Sequence, residues 1–144
     1  ILLIDEKNSH EYFAHKYNVS NNVKDFLNKL AKNFKLLKEN KDFFNKDLEK
    51  NIYLNDKNHL INLNILNFVV DNKYKFKDFS KNLKKILSAK KHEFKIDGKY
   101  LLDRGMPPGA KMGKVLNNIE EEWIKNNFEI SKNQIKEIIK IHSG

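Results

Sequence analysis

Apolar residues fall at helical spacing along almost the whole chain, and this rhythm excludes most architectures before anything else is weighed. Val23, Phe26, Leu27, Leu30, Phe34 and Leu37 follow the i, i+3, i+4, i+7 order of one helix face, behind Ser20, a residue suited to N-capping. Phe43, Phe44, Leu48 and Ile52 predict a shorter helix. Asp56 is placed to cap another through Leu60, Leu63, Leu66 and Val70, which Asp71 and Asn72 end. A further stripe runs through Phe76, Phe79, Leu83, Ile86 and Leu87. Apart from Phe94–Ile96, which reads as extended, nothing has the alternation of a strand, and no internal repeat is visible. The expectation is an all-α, multi-helix bundle of about six to eight helices.

The punctuation changes near residue 98. Both prolines and four of the five glycines lie between Gly98 and Gly113. Asp97 suits the cap of a short helix through Tyr100, Leu101 and Leu102, and Gly105 suits the left-handed position that closes one. Met106, Pro107 and Pro108 then form a turn, and Gly109 releases the chain into a second helix with Met112, Val115, Leu116, Ile119, Trp123 and Ile124 spaced for burial. Ser131 with Gln134 three residues later is a capping box for a last helix along Ile135, Ile138 and Ile139. Residues 1–92 therefore read as a helical bundle. Residues 93–144 read as a helix-turn-helix segment, either a lobe of its own or packed with the first as one unit.

A chain of 144 residues hides roughly 70% of its unfolded surface on folding, enough for a real core. Its formal charge of +9 and pI near 9.5 favour an anionic partner such as nucleic acid. Arg104 is the single arginine, and lysine carries the remaining positive charge. Lys and Asn crowd every exposed-looking stretch, as in proteins from A/T-rich coding sequence, so any one lysine is as readily a solvated surface group as a contact. The absence of cysteine excludes disulfides, thiolate metal sites and cysteine nucleophiles, and fits a reducing cytoplasm. The longest apolar runs, Ile1–Ile4 and Phe68–Val70, fall far short of the roughly 20 residues that cross a bilayer, so a soluble, cytoplasmic protein is expected. The chain opens at Ile1 with neither an initiator Met nor a charged n-region, which reads as a cut within a longer protein and not as a signal peptide.

No catalytic centre emerges from the side chains. His10, His15, His59, His92 and His142 lack the i, i+4 pairing that sets two metal ligands on one helix face, so surface or partly packed histidines are the better reading. G-x-S-x-G, Walker and G-x-G-x-x-G motifs are all missing. Glu120, Glu121 and Glu122 are consecutive, so they fan around a helix instead of converging, and a solvated acidic face is expected. No catalytic residue, metal ligand or cofactor is assigned to this chain.

The informative stretch is Asp97 to Lys114. A helix that starts just after Gly109 turns free backbone N–H groups outward, where a phosphate can dock. Lys111 and Lys114 lie three apart on it, and Lys99 and Arg104 flank the turn from the preceding helix, making a small basic collar. The bland alternative is an ordinary helical corner with well-chosen caps. Gly105 and Gly109 belong to this group chiefly through backbone geometry.

This stretch also resembles a known family. Gly98, Leu101, Gly105, Pro108, Gly109, Gly113 and Leu116, followed by a helix bearing Trp123, look like the segment "G-x-x-L-x-x-x-G-x-x-P-G-x-x-x-G-x-x-L" in the helical C-terminal region of class II CCA-adding tRNA nucleotidyltransferases and bacterial poly(A) polymerases. A weaker echo, Tyr17-Asn18-Val19-Ser20-Asn21-Asn22, is similar to an "L-S-N" helix opening upstream in the same family. The resemblance implies a helical body and tail that hold tRNA or another RNA. It also implies a separate head with a "G-S" segment and an Asp-x-Asp pair, which binds Mg and nucleoside triphosphates and performs the transfer. No Asp-x-Asp occurs in these residues, so no catalytic residue is carried over. The implied role is RNA binding by Lys99, Arg104, Gly105, Gly109, Lys111 and Lys114. A-form RNA is held largely by shape and backbone, for which lysines and helix starts suffice. The main rival is a helix-hairpin-helix DNA-binding module of a repair or replication protein, although such hairpins usually carry G-x-G where this chain has Pro-Pro-Gly. A helical domain that contacts another protein is the third possibility.

Overall fold

A computed structural model describes residues 4–5 and 7–143, and these contain eight helices and no strand. Internal contacts divide the chain into two compact units, Ile1–Lys91 and His92–Gly144.

The first unit holds α1 (Ser9–Lys16), α2 (Asn21–Glu39), α3 (Leu48–Asn55), α4 (Lys57–Val70) and α5 (Phe76–Ser88). Helix α4 is its centre, packing on α2, α3 and α5, while α1 lies on α2. The sequence of α4 explains that position. Leu60, Leu63, Leu66 and Asn64 are fully buried, and His59 and Asn67 are buried beside them, so the helix buries one broad face. Buried amides need partners. Asn64 donates to the Phe79 carbonyl at 3.0 Å and accepts from the Tyr74 hydroxyl at 2.6 Å, tying α4 to α5. Asn33 of α2 donates to Asn55 at 2.8 Å and meets His59 Nε2 at 2.9 Å. Asp56 caps α4 as its sequence predicts, its carboxylate accepting the His59 N–H at 2.8 Å. At φ 73 it also closes α3, so the two helices turn with no linker.

Several sequence expectations for this unit need correction. The helix expected from Phe43 begins only at Leu48, and residues 41–47 form turns. The Asn40 side chain accepts the Asp42 N–H at 2.9 Å and donates to Asp47 at 2.8 Å, which holds a loop in place of a helical start. Phe43 and Phe44 are still buried, their rings edge to face at 5.3 Å. Along α5 the inward line is Phe79, Leu83 and Ile86, whereas Phe76 and Leu87, assigned to the same stripe, face outward at 68% and 58% exposure. Val23 and Phe26 are likewise half-exposed on α2. His10 and His59 are buried, not surface or partly packed groups.

The second unit is built from α6 (Gly98–Leu102), α7 (Ala110–Lys125) and α8 (Lys132–Ser143), with α7 packing on both others. Leu101, Met106, Val115, Ile119, Ile135 and Ile139 form its core. Residues 90–97 are irregular, and Phe94 and Ile96 pack against that core. An aromatic cluster lies beside it: His92 stacks on Phe128 at 3.7 Å and 8°, and Trp123 meets Phe128 at 4.9 Å and Phe94 at 5.3 Å. The turn after α7 places Asn127 and Phe128 in left-handed conformations, φ 56 and 66. Phe128 is bulky for that region, and its ring packs against both His92 and Trp123 there. The capping box of α8 forms as its sequence predicts: Gln134 N–H donates to Ser131 Oγ at 3.2 Å, and Gln134 Oε1 accepts the Ser131 N–H at 2.9 Å.

Candidate nucleic-acid interface

The corner between α6 and α7 is built by local backbone chemistry. Asp97 caps α6, accepting the Tyr100 N–H at 2.8 Å. The far end closes in a Schellman turn, with the Gly105 N–H on the Leu102 carbonyl at 2.9 Å and the Met106 N–H on the Leu101 carbonyl at 3.1 Å. Gly105 sits at φ 82, the left-handed position its sequence predicts. The apolar contact of the motif is present too, because Met106 and Leu101 are buried in one core. Gly98 serves α7: a Cβ there would lie 3.1 Å from Met112 Sδ, so its absence lets α6 close on the next helix. Gly109 precedes α7 at φ 149, and a Cβ there or at Gly105 would meet nothing within 4 Å, so both positions are constrained by dihedral angle and not by space.

Met106 anchors the corner at 2% exposure while Gly105, Pro107, Pro108 and Gly109 face solvent. The bend is therefore open to approach. Lys99 on α6, Arg104 in the turn, and Lys111 and Lys114 at the start of α7 are all exposed. Arg104 is held by Tyr100. Its guanidinium lies 3.4 Å from the centre of the Tyr100 ring and donates to the Tyr100 carbonyl at 3.1 Å. It both caps the end of α6 and presents a flat cation at the bend. Tyr100, outside the expected group, is the partner that orients it, and the i, i+4 spacing of Tyr100 and Arg104 is the signal that finds it.

Helix α7 begins differently from its neighbours. Asp97 caps α6 and the Ser131–Gln134 pair caps α8, but Gly109 gives α7 no side-chain cap and no acidic residue lies in its first turn. Lysines stand there instead. A cation at the positive end of a helix dipole costs roughly 0.3–1 kcal/mol, so this arrangement runs against the helix's own stability. No three His, Cys, Asp or Glu side chains come together among the described residues to hold a metal ion. No helix among the described residues is long and apolar enough to cross a membrane.

Comparison with known families decides the lineage. The family described as putative tRNA nucleotidyltransferase domain 2 matches residues 1–139. The chain belongs to that family. A search of curated proteins and of solved structures found no match. The family match runs across both units of the tRNA nucleotidyltransferase domain, from the α4-centred bundle to α8, so the two are covered by a single family description.

Proposed function

We propose that this domain holds tRNA, or another RNA, for a CCA-adding or poly(A)-adding nucleotidyltransferase of the cytoplasm, and that the transfer chemistry is carried by residues outside this chain. The RNA-facing group is Lys99, Arg104, Lys111 and Lys114, with Gly105 and Gly109 shaping the bend. The observation that carries this reading is the uncapped start of a 16-residue helix, exposed and ringed by lysines, in a member of a tRNA nucleotidyltransferase family. An RNA phosphate there would satisfy N–H groups that the fold leaves without a side-chain acceptor, and would turn an unfavourable charge arrangement into a favourable one.

Replacing Lys111 and Lys114 together by Glu tests it. Each lysine that contacts a phosphate adds about one to the slope of log affinity against log salt. The double variant is expected to bind tRNA more weakly and with a slope shallower by about two. Unchanged affinity and slope would remove the corner from the interface. Tighter binding of duplex DNA than of tRNA in competition would favour a helix-hairpin-helix role.

A further inference from the structure

Helix α5 carries a second charged surface that the corner does not explain. Lys77, Lys81 and Lys84 recur at i, i+4, i+7 on one exposed side, opposite buried Ile86 and half-buried Phe79 and Leu83. Among the described residues these three lysines make no ion pair, although Asp78 is close by in sequence. The neighbouring Lys85 is already used, its ammonium hydrogen-bonded to Asn45. At the head of the stripe stands Phe76, 68% exposed. Its ring is not loose: Phe68 holds it at 6.2 Å and Phe79 at 6.1 Å, leaving an aromatic face beside the lysines. Phe76, Lys77, Lys81 and Lys84 line one shallow groove with Ser80.

We propose that this groove binds an unpaired stretch of RNA, with a base stacked on Phe76 and the following phosphates on Lys77, Lys81 and Lys84. The proposal shares with the preceding section the premise that RNA is the ligand, but it does not depend on the corner. Charge selects a polyanion. The exposed ring selects a single strand, because bases in a duplex are already stacked on one another and cannot reach a side chain on a helix surface. Lys77 to Lys84 spans about 10 Å along the helix, room for a short run of backbone. A solvated lysine face needs no aromatic ring braced at its head by two others, and a purely structural Phe76 would turn inward as Phe79 does.

The test uses the full chain and two probes, an unstructured oligouridylate and an RNA hairpin stem. Lys77→Glu, Lys81→Glu and Lys84→Glu together are expected to weaken oligouridylate binding at least tenfold and to reduce its salt slope by about two, since each single-strand phosphate contact contributes about 0.7. Phe76→Ala, which removes an exposed ring, is expected to weaken the oligouridylate about tenfold with its slope unchanged and to leave the stem unaffected. A charge-matched control at exposed Lys41, Lys46 and Lys50 is expected to do far less. Equal loss in that control would mean net charge and not this face. Equal effects of Phe76→Ala on both probes, or unchanged binding by the α5 triple variant, would also overturn the proposal. The Lys111/Lys114 variant measured beside these separates the two readings: loss there with none at α5 sinks only the groove, and the reverse sinks only the corner.

Discussion

The two units solve the same problem, burying apolar helix faces, by different means. The first relies on distant partners. Its central helix α4 packs on three others, and the polar bonds there are long-range: Asn33 of α2 donates to Asn55 of α3 and meets His59 of α4, while Asn64 of α4 donates to the Phe79 carbonyl of α5 and accepts from Tyr74, residues separated by 10 to 26 positions in the chain. The second unit relies on devices only a few residues long: an Asp cap starts α6, a Schellman turn ends it and a capping box starts α8, and six aliphatic and methionine side chains fill what lies between. A fold assembled from short-range devices can be altered by one dihedral angle, whereas one assembled from long-range contacts is altered by a missing volume.

That contrast is open to direct attack, and the largest effect is expected in the first core. Leu63 is wholly buried, so Leu63→Ala should cost about 2–5 kcal/mol through lost transfer energy and the cavity left behind. Trp123, the only tryptophan, lies in the second unit and reports on it alone. In Leu63→Ala the helical circular-dichroism melt should move while the Trp123 fluorescence transition stays. A matching shift of the Trp123 signal would show that the two units unfold as one and would erase the contrast.

The next effect is at Gly105. A β-branched side chain at φ 82 costs about 1–3 kcal/mol, so Gly105→Val should lower the Trp123 transition, and Gly105→Asn, better tolerated in that region, should lower it less. Equal behaviour of the two variants would detach the bend from backbone geometry.

The smallest effect expected is in pH, and it sharpens the account of the first unit. Burial of the His59 ring, reinforced by the Lys29 ammonium and opposed by the Asp56 carboxylate, holds its pKa below the ordinary histidine value. Asn33 Nδ2 gives one hydrogen to Asn55 and the other to His59 Nε2, which accepts only while it is unprotonated. The unfolded chain therefore takes up a proton at His59 before the folded one does. Stability from this site is complete above about pH 6.5 and falls as pH drops from there toward the lower folded value. His59→Gln should lose that segment of the pH profile, measured as the difference between the two proteins by hydrogen exchange at α4 amides. Parallel profiles would mean the ring plays no such part.

Legibility in the sequence follows the same division. Asp97, Gly105, Asp56 and the Ser131–Gln134 pair are readable because cap and turn chemistry is written within a few residues of where it acts. The placements of Phe43 and Phe44 are not, since a loop held by Asn40 competes with a helix that their periodicity favours equally well. Phe76 and Leu87 sit at the edge of their stripe, where periodicity alone cannot say which side of the boundary a neighbouring helix covers. His59 and Asn33 look like two more polar residues in a chain full of them until α2 and α4 are brought together. The placement of Tyr100 under Arg104 needed the folded turn.

The stack of His92 on Phe128 has a practical consequence for anyone dissecting this protein. His92 stands at the first position of the second unit, six residues before α6 begins, in a segment without regular structure that a boundary drawn by helix ends would discard. Cutting there would strip the ring that steadies a left-handed phenylalanine at the far end of α7, so an excised C-terminal fragment should be started at residue 92 or earlier if it is to keep its native shape.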